Sequence, residues 1–281
     1  MAQLARPVAD VSRGSWTTDS GGTTNLWAAL DDNPANDADY VISAIGSNST
    51  YELRLASVAP AIIPRAHKLA IRGRKDASGG NTKGVSVALV QGSTVLGSLD
   101  FPDLPFVVQQ QNVSIPKSMA SLITNYADLR FRLTSTGITT GGSARRRAIV
   151  TDIALIVPAA VDLVDDLLTR WSIAVDVNLP GNVQVSRSGF VGVGNTLPRA
   201  LWQLYQAMIE ADWQVEAVQQ RYQIAYYLWK HIEYEALRAQ IVADTYQLSA
   251  HQTKAQALAK VDAKVGRFIA IVQAADAGEP A

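Results

Sequence analysis

Residues 148–158 read Ala148-Ile149-Val150-Thr151-Asp152-Ile153-Ala154-Leu155-Ile156-Val157-Pro158. Aliphatic and β-branched residues fill both alternating registers, so a strand here buries both of its faces, with Thr151 and Asp152 the exceptions. Pro158 has no N–H to give a ladder and closes the strand. A strand of this kind sits in the middle of a sheet, and the preceding sequence supplies its neighbours. Tyr51-Glu52-Leu53-Arg54-Leu55 alternates cleanly, as does His67-Lys68-Leu69-Ala70-Ile71-Arg72. Val85 to Leu89 leads into Gln91-Gly92-Ser93 and returns through Val95 and Leu96, the pattern of a hairpin with a short glycine loop. Phe106 to Ile115 is a further candidate, stopped by Pro116. Leu129-Arg130-Phe131-Arg132-Leu133 sets three apolar side chains on one face and two arginines on the other. Roughly six to eight short strands between turn clusters predict an antiparallel β-sandwich of jelly-roll type. No helical pattern separates them, which excludes a parallel α/β fold.

Beyond Pro158 the grammar changes. Ala159 to Trp171 carries a short helical pattern, and Asp176 to Thr196 is rich in glycine, so residues 159–197 read as a connector. From Pro198 to Val265 there is neither glycine nor further proline. Leu201, Leu204, Met208, Ala211, Val215, Val218, Tyr222, Ala225, Trp229, Ile232, Ala236 and Ala239 then follow in alternating steps of three and four. A helix from Pro198 to about Leu248 would be roughly 75 Å long at about 1.5 Å per residue. A second seam runs through Leu258, Val261, Val265, Phe268 and Val272. Ser249-x-x-Gln252 and Thr253-x-x-Gln256 both match a capping box, so either a hairpin turning near 249–253 or one kinked helix is expected. The fold class is therefore α+β in two domains. A β-sandwich occupies 1–158, and a helical domain with heptad packing occupies 198–277.

Composition narrows the function. Lysine plus arginine and aspartate plus glutamate each number 25, leaving no net charge to favour nucleic acid. There is no cysteine, which removes disulfides, thiol nucleophiles and thiolate metal clusters. The three histidines, His67, His231 and His251, lie far apart. No apolar run reaches a membrane span, and the first residues show no signal-peptide pattern, so a soluble protein made inside the cell is expected. No Gly-x-Ser-x-Gly, His-Glu-x-x-His or P-loop sequence occurs, and neither catalysis nor a cofactor is expected.

Four carboxylates, Asp31, Asp32, Asp37 and Asp39, crowd one stretch of nine residues. Oxygen-rich loops suit a hard cation, but this one lacks the spacing of a calcium-binding helix–loop–helix, and aspartate is also an ordinary turn residue. Arg145-Arg146-Arg147 could grip an anion, or simply flank a strand with one arginine paired to a carboxylate. In the helical half, aromatic residues occupy more than one face, which calls for a second apolar contact surface. Leu201, Leu204, Met208, Val215, Val218, Tyr222, Trp229 and Ile232 form the expected oligomer interface. A trimer is favoured over a dimer because small and bulky residues alternate along the seam.

The N-terminal half resembles a known module. Arg6-Pro7 with Asp10 and Trp16, the stretch ending Asp37-Ala38-Asp39-Tyr40-Val41, Tyr126-Ala127-Asp128-Leu129-Arg130-Phe131-Arg132-Leu133, and Arg147-Ala148-Ile149-Val150 before a strand ending Val157-Pro158 are similar to a β-sandwich module of tailed-bacteriophage virion proteins. The likeness covers about residues 5–158 and carries no functional residue with it. It implies a non-enzymatic virion component, made in the host bacterial cytoplasm: a decoration, fibre, collar or tail appendage protein bound to other virion proteins. The rival reading is a carbohydrate-binding, lectin-like module that attaches to a surface glycan, with Trp16 and Trp27 as the stacking residues.

Overall fold

The computed structural model describes residues 2–45, 48–76, 82–137, 146–164, 166–167, 216–249 and 252–278. The chain divides into two compact units, one of residues 2–60 and 64–157, the other of 61–63 with the chain from 158 onward. No helix among the described residues is long and apolar enough to cross a membrane.

The first unit consists of two antiparallel sheets in a sandwich-like arrangement. One is built from β1 (Gln3–Ala5), β3 (Thr17–Thr18), β4 (Val41–Ile42), β6 (Lys68–Lys75), β9 (Gln109–Ser114) and β11 (Ala148–Val157). Its order is β3-β4-β11-β6-β9, with β1 also paired to β11. The other contains β2 (Pro7–Ser12), β5 (Thr50–Leu55), β7 (Gly84–Gln91), β8 (Thr94–Phe101) and β10 (Leu129–Thr136), in the order β2-β5-β10-β7-β8. β11 is central, as its two-faced apolar sequence requires, and all but Ile156 of its side chains are buried. In the second sheet Phe131 stands between Leu53 and Leu89, and Leu133 between Tyr51 and Val87. All six are buried, each contributing about 1.5–3 kcal/mol relative to exposure. The alternate residues Arg54, Arg130 and Arg132 point the other way, toward solvent.

The β7–β8 hairpin closes through Gly92-Ser93 between the paired residues Gln91 and Thr94. Gly92 has φ +60° while Ser93 keeps a negative φ, the signature of a type II′ turn, which needs glycine at its first central position. The candidate strand 106–115 begins only at Gln109; Phe106 and Val107 are exposed and unpaired in the sheet. Strands β1 to β4 have no counterpart in the sequence reading, because they are two to six residues long and β2 is broken by register shifts against β5.

In the second unit, α2 (Glu216–Val242) and α3 (Lys254–Gly278) form a helical hairpin. A short α1 (Lys117–Ala120) belongs to the first unit. α2 ends at Val242, earlier than the expected Leu248. Asp244 takes the left-handed conformation at φ +58°, Thr245 N donates to Gln240 O at 3.0 Å and Asp244 N to Ile241 O at 3.3 Å. This is a Schellman motif with aspartate in the position glycine usually holds, so the sequence carried no glycine to mark it. Lys254 Nζ further caps the end by donating to Val242 O at 2.9 Å. α3 opens with the expected capping box: Gln256 N donates to Thr253 Oγ1 at 3.2 Å, and Thr253 N to Gln256 Oε1 at 3.0 Å.

The hairpin closes through a stripe of α2 other than the one expected to meet another copy. Ile241, Ala257 and Val261 form its buried core, with Tyr234, Leu237, Leu248, Leu258 and Val265 packed around them. Phe268 lies 5.8 Å from the Tyr227 ring and 5.3 Å from the Tyr234 ring. α2 thus meets α3 through Tyr227, Tyr234, Leu237 and Ile241. On the stripe expected to be the seam, Trp229 and Ile232 are half-buried, and Ala236 and Ala239 are exposed. Leu201, Leu204, Met208 and Val215 lie outside the described residues, and so do the side chains of Val218 and Tyr222.

Candidate functional site

Asp10, on β2, organises one end of the sandwich. Its Oδ2 accepts Leu26 N at 2.9 Å, and its Oδ1 accepts Trp27 N at 2.9 Å and Tyr51 Oη at 2.7 Å. Leu26 and Trp27 open a 3-10 turn, Leu26–Ala29, whose leading N–H groups have no intrahelical partner. A carboxylate is the strongest acceptor that can fill that gap. Asn25 enters the turn in the left-handed region at φ +55°, a conformation that asparagine tolerates better than most residues. Leu26 and Ala29 are buried, while Trp27 between them stays partly exposed. Burial, reinforced by the hydrogen bond to Asp10, pushes the Tyr51 phenol far above its ordinary pKa, so it remains a donor.

Asp31 and Asp32 follow this turn directly, and the β3–β4 pairing brings Asp19 and Asp39 to the same end, with Asp19 N donating to Tyr40 O at 3.1 Å. The carboxyl of Asp39 is raised above the usual range by burial and then by the charges of Asp19, Asp32 and Asp31. Those four carboxylates therefore share one field.

Asp37 is drawn away from them. Arg72 grips it with Nε at 2.6 Å and Nη2 at 2.5 Å, Thr151 Oγ1 donates to it at 3.2 Å, and the Arg72 hydrogen bond holds its carboxyl below the usual range. The expected set Asp31, Asp32, Asp37 and Asp39 is thus split. Among the described residues no three aspartate, glutamate or histidine side chains converge on a place where one metal ion could be held.

The remaining sequence candidates are placed as follows. Trp16 is wholly buried, its Nε1 donating to Ser49 O at 3.0 Å and its ring 6.2 Å from that of Tyr51. It is a core residue and cannot stack on a ligand, which corrects the reading that paired it with Trp27. Arg147 is tied to Asp76 through Nε at 2.9 Å and through its own N–H at 3.0 Å, while Arg145 lies outside the described residues. Asp152, one of the two polar residues of β11, is buried and paired with Arg6; burial raises its carboxyl above the usual range against the pull of Arg6. His67 is enclosed, 2.8 Å from Tyr126 Oη, with its pKa pushed down to about 4 by burial.

Sequence reasoning gave Asp10 no role at a site and did not single out Asp19. Nothing in their local sequence distinguishes an aspartate that caps a turn 16 residues further along the chain from one on a solvated strand. On the open face of the second sheet, register alone brings Arg54 opposite Arg130 and Glu52 opposite Arg132.

No family model matches the chain, and no curated protein does. Solved structures similar to it include a CBM36-1 domain of a multidomain xylanase from the hindgut metagenome of Trinervitermes trinervoides. That likeness has 14% identity and a TM-score of 0.28, over 57% of this chain and 98% of that one. A structure described as CBM4 is 12% identical with a TM-score of 0.28, over 50% of this chain and 93% of its own. A carbohydrate-binding module CBM36 in complex with calcium and xylotriose is 18% identical with a TM-score of 0.22, over 41% and 82%. Likeness this distant carries no inference about a shared site.

Proposed function

We propose that the first unit is a non-catalytic glycan-binding module, and that its site is the loop end around Trp27. The observation that carries this reading is the partly exposed Trp27, its backbone N–H held by Asp10, beside four carboxylates that have no cationic partner among the described residues. A pyranose offers the two things such a surface lacks. Its C–H face covers an indole, and its vicinal hydroxyls donate to carboxylates, relieving their mutual repulsion without requiring them to converge as a metal would. Hydroxyl donors thus fit the spread of Asp19, Asp31, Asp32 and Asp39 better than a single ion does. A place in a virion rests on the sequence resemblance alone.

A glycan array probed with the full chain and with Trp27→Ala tests the proposal. Loss of the bound glycans in Trp27→Ala, with Phe106→Ala as a control at another exposed aromatic, is the expected result. Equal binding by Trp27→Ala and the parent chain, or binding by neither, refutes the site. Release of reducing sugar from a bound glycan refutes the non-catalytic part.

A further inference from the structure

The open face of the second sheet carries a charge arrangement that its own residues leave incomplete. The β5–β10 register sets Arg54 directly opposite Arg130, and Arg132 directly opposite Glu52. Glu52 is nearly buried among these guanidiniums and serves two of them, accepting Arg130 Nη1 at 3.2 Å and Arg132 Nε at 2.9 Å. Arg130 Nη2 also reaches Asp128 Oδ1, at 3.4 Å. Arg130 Nε is buried with no hydrogen-bond partner, and exposed Arg54 has no ion-pair partner among the described residues. Like charges directly opposite one another weaken a sheet, so this pair is a cost to the fold. An anion laid across Arg54 and Arg130 removes that cost. It would also accept the planar fork that a guanidinium presents to a carboxylate.

The surroundings decide what carries the anion. On the neighbouring rows stand Thr50, Thr134, Ser86, Ala88 and Ser98, small and mostly hydroxylic, with Thr50 and Thr134 hydrogen-bonded to each other at 3.2 Å and Asp100 opposite Ser86, while the row of Arg54 and Arg130 continues through buried Val90 to exposed Val95. Hydroxyls therefore flank the arginines on β5, β10 and β7, and the exposed apolar Val95 stands on the edge strand β8, away from Arg54. A sugar acid brings a carboxylate together with hydroxyls, in a chain that can lie along a flat surface. We propose that the open face of β5 and β10 binds the carboxylates of an acidic polysaccharide, a polyuronate, with Arg54 as the principal contact and Arg130 sharing it. This site is separate from the Trp27 loop and does not depend on the reading of that loop.

Affinity electrophoresis of the full chain tests it, with polygalacturonate, its fully methyl-esterified form and poly-glutamate as three probes. The parent chain should bind polygalacturonate best, and more weakly as salt rises. Arg54→Gln, at an exposed side chain with no partner to lose, should weaken that binding about tenfold while far-UV circular dichroism stays unchanged. Unchanged affinity in Arg54→Gln, no affinity in the parent chain, or equal retention by the esterified polymer overturns the proposal. Equal or tighter retention by poly-glutamate overturns it in favour of an acidic peptide. Trp27→Ala separates the two sites. If it abolishes array binding while polygalacturonate binding is absent, only the arginine face fails; if it changes nothing while Arg54→Gln loses polygalacturonate, only the loop reading fails.

Discussion

Replacing Asp10 with alanine tests whether one carboxylate holds the Trp27 turn in place. Asp10 accepts three hydrogen bonds, two from the opening N–H groups of the Leu26–Ala29 turn and one from Tyr51. Losing the cap on the turn costs about 1 kcal/mol, the usual effect of removing an N-cap acceptor. Tyr51 is wholly buried, and its hydroxyl, left without an acceptor, adds about 1–3 kcal/mol. The expected destabilisation is therefore about 2–4 kcal/mol, a large part of the 5–15 kcal/mol typical of a folded domain. Urea unfolding followed by tryptophan fluorescence measures it, since Trp16 and Trp27 both lie close to Asp10's partners. Asp10→Asn should fall between, because its carbonyl can keep the two bonds made by Oδ1 while its NH₂ faces the Leu26 N–H. Tyr51→Phe removes only the hydroxyl, so Asp10→Ala in that background should cost about 1–3 kcal/mol less than in the parent chain. A loss below about 1 kcal/mol for Asp10→Ala, or strict additivity of the two substitutions, would show that the carboxylate does not carry this load.

Other residues give sharp outcomes. His67 has a pKa of about 4 in the fold against an ordinary 6.5, so above pH 6.5 it is neutral in both states and contributes no pH dependence. As pH falls from 6.5 to 4 only the unfolded chain takes up the proton, and stability should drop by about 3 kcal/mol; a His67→Gln variant with an undiminished slope of stability against pH over that window refutes this. A Cβ at Gly84 would lie 2.2 Å from Phe101 O and 2.7 Å from Pro102 O, both backbone, whereas at Gly97 it would meet the Met119 thioether at 2.9 Å. Gly84→Ala should therefore cost about 2 kcal/mol or more and Gly97→Ala clearly less, with equal midpoints in thermal melts counting against the packing argument. If α2 meets a second copy through Ile232, Ala236 and Ala239, Ala236→Glu should lower the mass seen by light scattering, and a parent chain that stays monomeric at high concentration rules that interface out.

The parts of the fold that were legible share a cause. β11, β5 and β10 each carry a pattern that only one placement satisfies. Ten residues, eight of them apolar and spread over both registers, must be central, and Leu129-Arg130-Phe131-Arg132-Leu133 must turn its arginines outward. β3 and β4 are two residues each, too short for any period to exist; β4 is positioned by its pairing with β11 and β3 by its pairing with β4. The candidate sites were less legible because chemistry there comes from register and long-range capping. Trp16 and Trp27 are the same residue type 11 positions apart. What separates them is that Ser49 O and Tyr51 enclose the first, which is wholly buried, while Asp10 holds the backbone of the second, which stays partly exposed.

The long helix shows the same limit in another form. Its sequence carries two apolar stripes, one through Val218, Ala225, Trp229 and Ile232, the other through Tyr227, Tyr234, Leu237 and Ile241. The second is displaced from the first by two residues, about 200° around the helix, so the two face nearly opposite directions. Spacing alone ranks them equally, and the first is the longer run. The hairpin turn breaks the tie. With Asp244 ending α2 and Thr253 starting α3, the helix that returns meets the stripe containing Ile241, one turn before the stop, and pairs it with Ala257 and Val261, one and two turns after the start. Further from the turn, Phe268 of α3 meets both Tyr234 and Tyr227 of the same stripe. A capping residue that offers no glycine to the eye thus decides which of two equivalent apolar faces closes the hairpin. The other stripe, with Ala236 and Ala239 exposed, is left on the far side of α2.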